Sequence, residues 1–125
     1  MFRLIEPYFC HNDNRGLIRG IVNFGVWQEI NYVASSADMV RGNHYHRETE
    51  ELFFVLQGRI RVTVQRVEGG HLTGLAEEFI VGEGAIFMVE AMVNHIFHIL
   101  EGAQWINVLS KPINPECPDI YRVIL

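Results

Sequence analysis

Between Arg59 and Val67 the chain alternates: Ile60, Val62 and Val64 are aliphatic, while Arg59, Arg61, Thr63 and Gln65 are polar. A period of two places every aliphatic side chain on one face of an extended strand and every polar one on the other. An amphipathic helix cannot use this pattern, because its apolar stripe needs a period of about 3.6. The rest of the chain has the same texture. Turn clusters at Asn12–Gly16, Glu68–Gly70 and Gly82–Gly84 separate short apolar runs. Those runs are Gly25–Ala34, Leu52–Leu56 (ending at Gln57-Gly58), Phe79–Val81, Ala85–Val89, His95–Leu100 (closed by Glu101-Gly102) and Trp105–Leu109. Ala91-Met92-Val93 is too short for a helix. The sequence predicts an all-β domain spanning residues 1–125, with roughly eight or more antiparallel strands and no helical layer. It is a sandwich or a barrel.

Composition narrows the function. The chain has 125 residues, 49% hydrophobic and 20% charged, with a net charge of −5. That balance leaves no electrostatic footprint for nucleic acid, so an anionic ligand must rely on local arginines. The N-terminal apolar stretch is too short for a signal peptide, and no run of about 18 apolar residues offers a membrane span. The expected location is the cytoplasm, with Cys10 and Cys117 as free thiols.

Chemistry concentrates in Arg41-Gly42-Asn43-His44-Tyr45-His46 and the segment after it. Residues at i and i+2 of a strand share a face, so His44 and His46 point into the same space. Glu51 opens the next apolar run and can return to that space. On the later strand His95, Phe97 and Ile99 share one face and Ile96, His98 and Leu100 the other. If Phe97 and Ile99 face inward, so does His95. Converging imidazoles and a carboxylate make either a metal centre or a proton-transfer site. Tyr45 alternates away and is expected to pack behind the sheet. His11, His71 and His98 have no partner pattern. Arg47–Glu50 reads as a wet turn, with Glu50 a second choice to Glu51 as ligand. The tail with Pro112, Pro115 and Pro118 reads as an irregular segment able to pack on a neighbour.

These residues resemble the two motifs of the cupin family. The first, Gly-x5-His-x-His-x3-4-Glu-x6-Gly, is matched by His44, His46, Glu51 and Gly58, with Asp38 replacing its opening glycine. The second is matched by Gly84 and His95, with Glu90, Met92 and Ile99 in place of its proline, glycine and asparagine. The resemblance implies a cupin jelly-roll barrel. Arg41-Gly42-x-His44-Tyr45, with Asn31 and Asp13-x-Arg15-Gly16 before it, is similar to nucleotide-sugar cupins: deoxysugar 3,5-epimerases, metal-free 3,4-ketoisomerases and cupin domains of capsule biosynthesis. What this implies is an isomerase or epimerase moving a proton beside the carbonyl of a nucleotide-linked keto-sugar. His44 would be base and His46 its acid partner, and Arg15 and Arg41 would hold the diphosphate. The ketoisomerases usually lack the glutamate, however, and this chain has both Glu51 and His95. His44, His46, Glu51 and His95 together suit a divalent Zn, Mn, Fe or Ni ion, which opens a metal-dependent alternative beside a non-enzymatic binding barrel. No organic cofactor is implied. A homodimer is expected, because small barrels have open sheet edges that need cover.

Overall fold

The computed structural model describes every residue from Met1 to Leu125. Nine strands follow one another without a helix: β1 (Phe2–Leu4), β2 (Phe9–Asp13), β3 (Gly16–Gly20), β4 (Glu29–Ser35), β5 (Val40–His44), β6 (Glu51–Glu68), β7 (His71–Gly82), β8 (Ile86–Val89) and β9 (Val93–Leu109). The β2–β3 hairpin forms a small sheet of its own, and the other strands form one seven-stranded antiparallel sheet.

The predicted runs on either side of Gly58 are one strand, and so are those on either side of Gly102. This corrects the expectation that glycine ends each of them. Gly58 has φ +93°, and a Cβ there would collide with the backbone of Gly102 and Ala103 on β9. The β6–β9 ladder shifts register on both sides of Gln57, between Val55 and Gln57 and again between Gln57 and Arg59. Here the paired strands fold over, so each serves two layers. One layer is β1, β8, the first part of β6, the second part of β9, and β4. The other is β7, the second part of β6, the first part of β9, and β5.

The space between the layers holds the main core. Phe53, Val55, Ile60, Val62, Val64, Phe87, Phe97, Ile99 and Trp105 are buried in one cluster. The alternation from Ile60 to Val64 points inward as the sequence predicts. A register shift between Val64 and Arg66 then brings the odd-numbered Val67 into the interior. Leu52, Ile86, Met88 and Val108 point the other way, into a second cluster covered by Ile5, Ile21, Val22 and Trp27. β8 is therefore buried on both faces, which is why its sequence reads as continuous apolar residues. The tail does not wait for a neighbour. It returns across its own barrel, where Tyr45 and Tyr121 exchange backbone hydrogen bonds of 2.9 Å. No helix is long and apolar enough to cross a membrane.

Candidate functional site

A β-bulge aims the first histidine. On β5, Arg41 lies opposite Phe97 and Gly42 opposite Ile96, yet His44 rather than Asn43 lies opposite His95. One extra residue has entered the strand and turned His44 inward. The bulge needs unusual backbone, with Gly42 at φ +82° and Asn43 at φ +59°. A Cβ on Gly42 would lie 2.8 Å from the carbonyl oxygen of His95. The Arg-Gly-Asn-His motif is thus the sequence of a bulge.

His44, His46, Glu51 and His95 meet inside the barrel, each with a donor atom within 4.8 Å of the others. Glu51 comes from the start of β6 and His95 from β9, so the two layers contribute together. Both side chains are almost wholly buried, at 5% and 3% exposure, as is His46 at 5%. His44 is half-buried and lines a cavity of about 150 Å³ with Val33, Arg41, Glu51, Phe53, His95, Phe97, Trp105 and Asn107. His46 lies behind it and is absent from the lining.

Hydrogen bonds orient the group. His46 places Nε2 2.7 Å from Glu51 Oε1 and turns Nδ1 to the carbonyl oxygen of Asp119. His95 turns Nδ1 to the carbonyl of Val93 and leaves Nε2 3.2 Å from Glu51 Oε2. That last approach is not aligned as a hydrogen bond, and Oε2 has no partner. Burial pushes the His44 pKa down to about 4, and nearby His95 adds to the effect. Burial also keeps His95 below its ordinary value. For His46 burial opposes the charge, but the hydrogen bond and charge of Glu51 outweigh it and raise the pKa. Glu51 is desolvated too, yet His95 and His46 hold it below the usual carboxylate range. At neutral pH, His44 is an uncharged base, and beside it the buried His46–Glu51 contact favours the charged form of both partners.

Arg41 reaches the cavity, and Arg15 does not. Arg15 is exposed in the β2–β3 turn, where Asp13 takes its guanidinium at 2.7 Å. Arg122 stands nearer the site, lining a neighbouring cavity of about 560 Å³ with Arg41, His44, Ser35 and Ser36. Its Nη1 donates to the carbonyls of Gly42 and Asn43. Glu50 is exposed and leaves the ligand position to Glu51. Tyr45 is buried against Tyr121, behind the sheet. Thr49 is buried as well, so the expected wet turn is wet only at Arg47, Glu48 and Glu50.

Three residues escape sequence reasoning. Asn107 lines the cavity with a buried amide nitrogen that has no partner. Asp119 and Arg122 reach the site from the tail, and no local spacing pattern announces them.

No curated protein sequence matches the chain. Among solved structures it is similar to the rmlC epimerase of Mycobacterium tuberculosis (TM-score 0.75, 19% identity, 92% of this chain and 66% of that one). It therefore spans just under two thirds of that protein's length. It is also similar to a dTDP-6-deoxy-D-glucose-3,5-epimerase from Legionella pneumophila solved with dTDP-4-keto-L-rhamnose (0.76, 20%, 92% and 69%). A third is a 3,4-ketoisomerase from Helicobacter canadensis (0.76, 19%, 97% and 90%). At these identities the likeness establishes the fold, a jelly-roll cupin barrel. The family model for the polysaccharide biosynthesis C-terminal domain matches residues 11–110, and the chain belongs to that family.

Proposed function

We propose that the chain is an isomerase or epimerase that moves a proton beside the carbonyl of a nucleotide-linked keto-sugar. The observation that carries this reading is an uncharged imidazole, His44, sharing a cavity with an unpaired amide donor, Asn107. A C–H next to a ketone is acidic enough for a positioned imidazole to remove its proton. The electrons left behind become an enolate, and the Asn107 N–H donates to its oxygen. Protonation of that carbon on its opposite face by solvent water, with His44 releasing the abstracted proton to solvent, inverts it. Protonation at the former carbonyl carbon instead, with the enolate oxygen taking up a proton and the hydroxyl on the first carbon giving one up to become the new carbonyl, shifts the ketone. Phe53, Phe97 and Trp105 give the sugar ring an apolar wall. Arg41 and Arg122 at the mouth suit the diphosphate, because guanidinium forks match phosphate oxygens. His46 acts from behind, as the charge partner of Glu51. The dTDP-sugar bound by the Legionella protein supports this substrate class.

A second reading rests on a separate observation. His46 and His95 both turn Nδ1 to backbone carbonyls and present Nε2 to Glu51, whose Oε2 lacks a hydrogen bond. Carbonyl-oriented imidazoles are the usual support of metal ligands. His44, His46, Glu51 and His95 would hold a divalent Zn, Mn, Fe or Ni ion, which would supply Lewis-acid polarisation of the carbonyl. An ion bound to His44 would remove that imidazole from proton transfer, so the two readings part experimentally.

The test is deuterium wash-in. Incubation with a dTDP-4-keto-6-deoxysugar in D2O should place deuterium beside the ketone, and His44→Asn should abolish it. Absence of wash-in with dTDP- and UDP-linked keto-sugars sinks the reading. Elemental analysis of chelator-free protein should find about one equivalent per chain if the metal reading holds. We also propose a homodimer, since Ile30 and Tyr32 on β4 and Leu17 and Ile18 on β3 are exposed. Light scattering showing a monomer at micromolar concentration would contradict it.

A further inference from the structure

The segment that closes over the barrel, residues 111–125, lies beyond the part matched by the family, and it carries a heavily bonded carboxylate. Asp119 Oδ1 accepts from the backbone N–H of Arg47 at 2.8 Å. Its Oδ2 accepts from the N–H of Glu48 at 2.9 Å, the N–H of Thr49 at 3.0 Å and the Thr49 hydroxyl at 2.9 Å. The same residue's carbonyl oxygen meets Nδ1 of His46. A carbonyl oxygen only accepts, so this contact requires the proton on Nδ1 and leaves Nε2 as the ring atom aimed at Glu51.

We propose that Asp119 is a positioning residue of the site: its carboxylate fixes the turn after His46 while its carbonyl fixes the ring. The two halves of the contact depend on each other. The carboxylate anchors the tail, and the anchored tail holds the carbonyl where Nδ1 needs it. The anchor is reinforced by the Arg47 guanidinium, 4.0 Å above the Tyr121 ring, and by the Tyr45–Tyr121 bridge. Without the Asp119 carboxylate the His46 ring is free to turn, and Glu51 loses its 2.7 Å partner. The effect on turnover rests on the proton-transfer function proposed above; the effect on the ring does not.

The experiment uses full-length protein labelled with [15N]histidine. Wild type should show a His46 Nδ1–H resonance protected from solvent exchange. Asp119→Ala should lose it, and deuterium wash-in should fall about tenfold to a hundredfold, the usual cost of losing an orienting partner. Asp119→Asn keeps an acceptor oxygen and should fall between the two. If Asp119→Ala does not fold, Thr49→Val removes a single one of the bonds and should weaken protection of the same proton by a smaller amount. A purely structural role would lower the melting temperature and leave the ring resonance in place; that result overturns the proposal. Wild type without wash-in but with an Asp119-dependent ring signal would refute the activity and uphold the positioning.

Discussion

Replacing Asn107 by leucine separates stability from activity. The Asn107 amide nitrogen is buried in the cavity wall without a hydrogen-bond partner. An unsatisfied buried donor costs about 1–3 kcal/mol, and an apolar side chain of similar volume removes that cost. Leucine would also extend the apolar wall that Phe53 and Trp105 give the cavity. Asn107→Leu should therefore raise stability by about 1–3 kcal/mol, which in a domain of this size lifts Tm by several degrees. Turnover should move the other way. Losing one donor to a developing oxyanion costs about a hundredfold in kcat, or about 2.7 kcal/mol. Denaturant melts and deuterium wash-in, measured on one preparation, read both effects. A variant that is less stable than wild type, or one with unchanged kcat, refutes the assignment of Asn107 as a donor kept for ligand.

Other outcomes follow from the same geometry. Glu51→Gln removes the carboxylate between His46 and His95 and should destabilise the fold by about 3–5 kcal/mol in urea melts, with loss of any bound divalent ion. For His44, the folded-state pKa of about 4 lies below the ordinary value of 6.5. Its base form should persist, so the acid limb of kcat/KM should fall near pH 4 instead of near 6.5. The unfolded chain takes up that proton first as pH falls. The stability His44 contributes is thus complete above its unfolded pKa and is lost as pH falls through about 4. Gly42→Ala should misplace His44, because φ is +82° and the new Cβ would meet the His95 carbonyl oxygen at 2.8 Å. Its mark would be lost wash-in at a cost of more than about 1 kcal/mol in stability.

Local pattern made some of this structure legible and hid the rest. The alternation of Ile60, Val62 and Val64 reported its inward face correctly, and so did the pairing of His95 with Phe97 and Ile99. The quartet of His44, His46, Glu51 and His95 was legible because its spacing follows strand geometry. Gly58 misled, since a glycine that ends a strand and one that lets two strands bend look alike in sequence. Arg15 stands apart from the quartet: in this chain Asp13, two residues away, holds its guanidinium. Asp119 could not be found at all. It meets His46 across 73 residues, and nothing short-range ties a tail aspartate to a buried imidazole.

The bend shared by β6 and β9 limits how a ligand can enter. Because both strands run through both layers, spreading the layers apart would shear the longest ladder in the molecule. Hinged opening is therefore closed off as a route. Admission falls to side chains at the rim, and Arg41 and Arg122 can swing without breaking any strand pairing. Under the proposed function, entry should then leave the backbone almost where it stood, and selectivity would be exercised at the threshold, before a substrate carbon reaches His44.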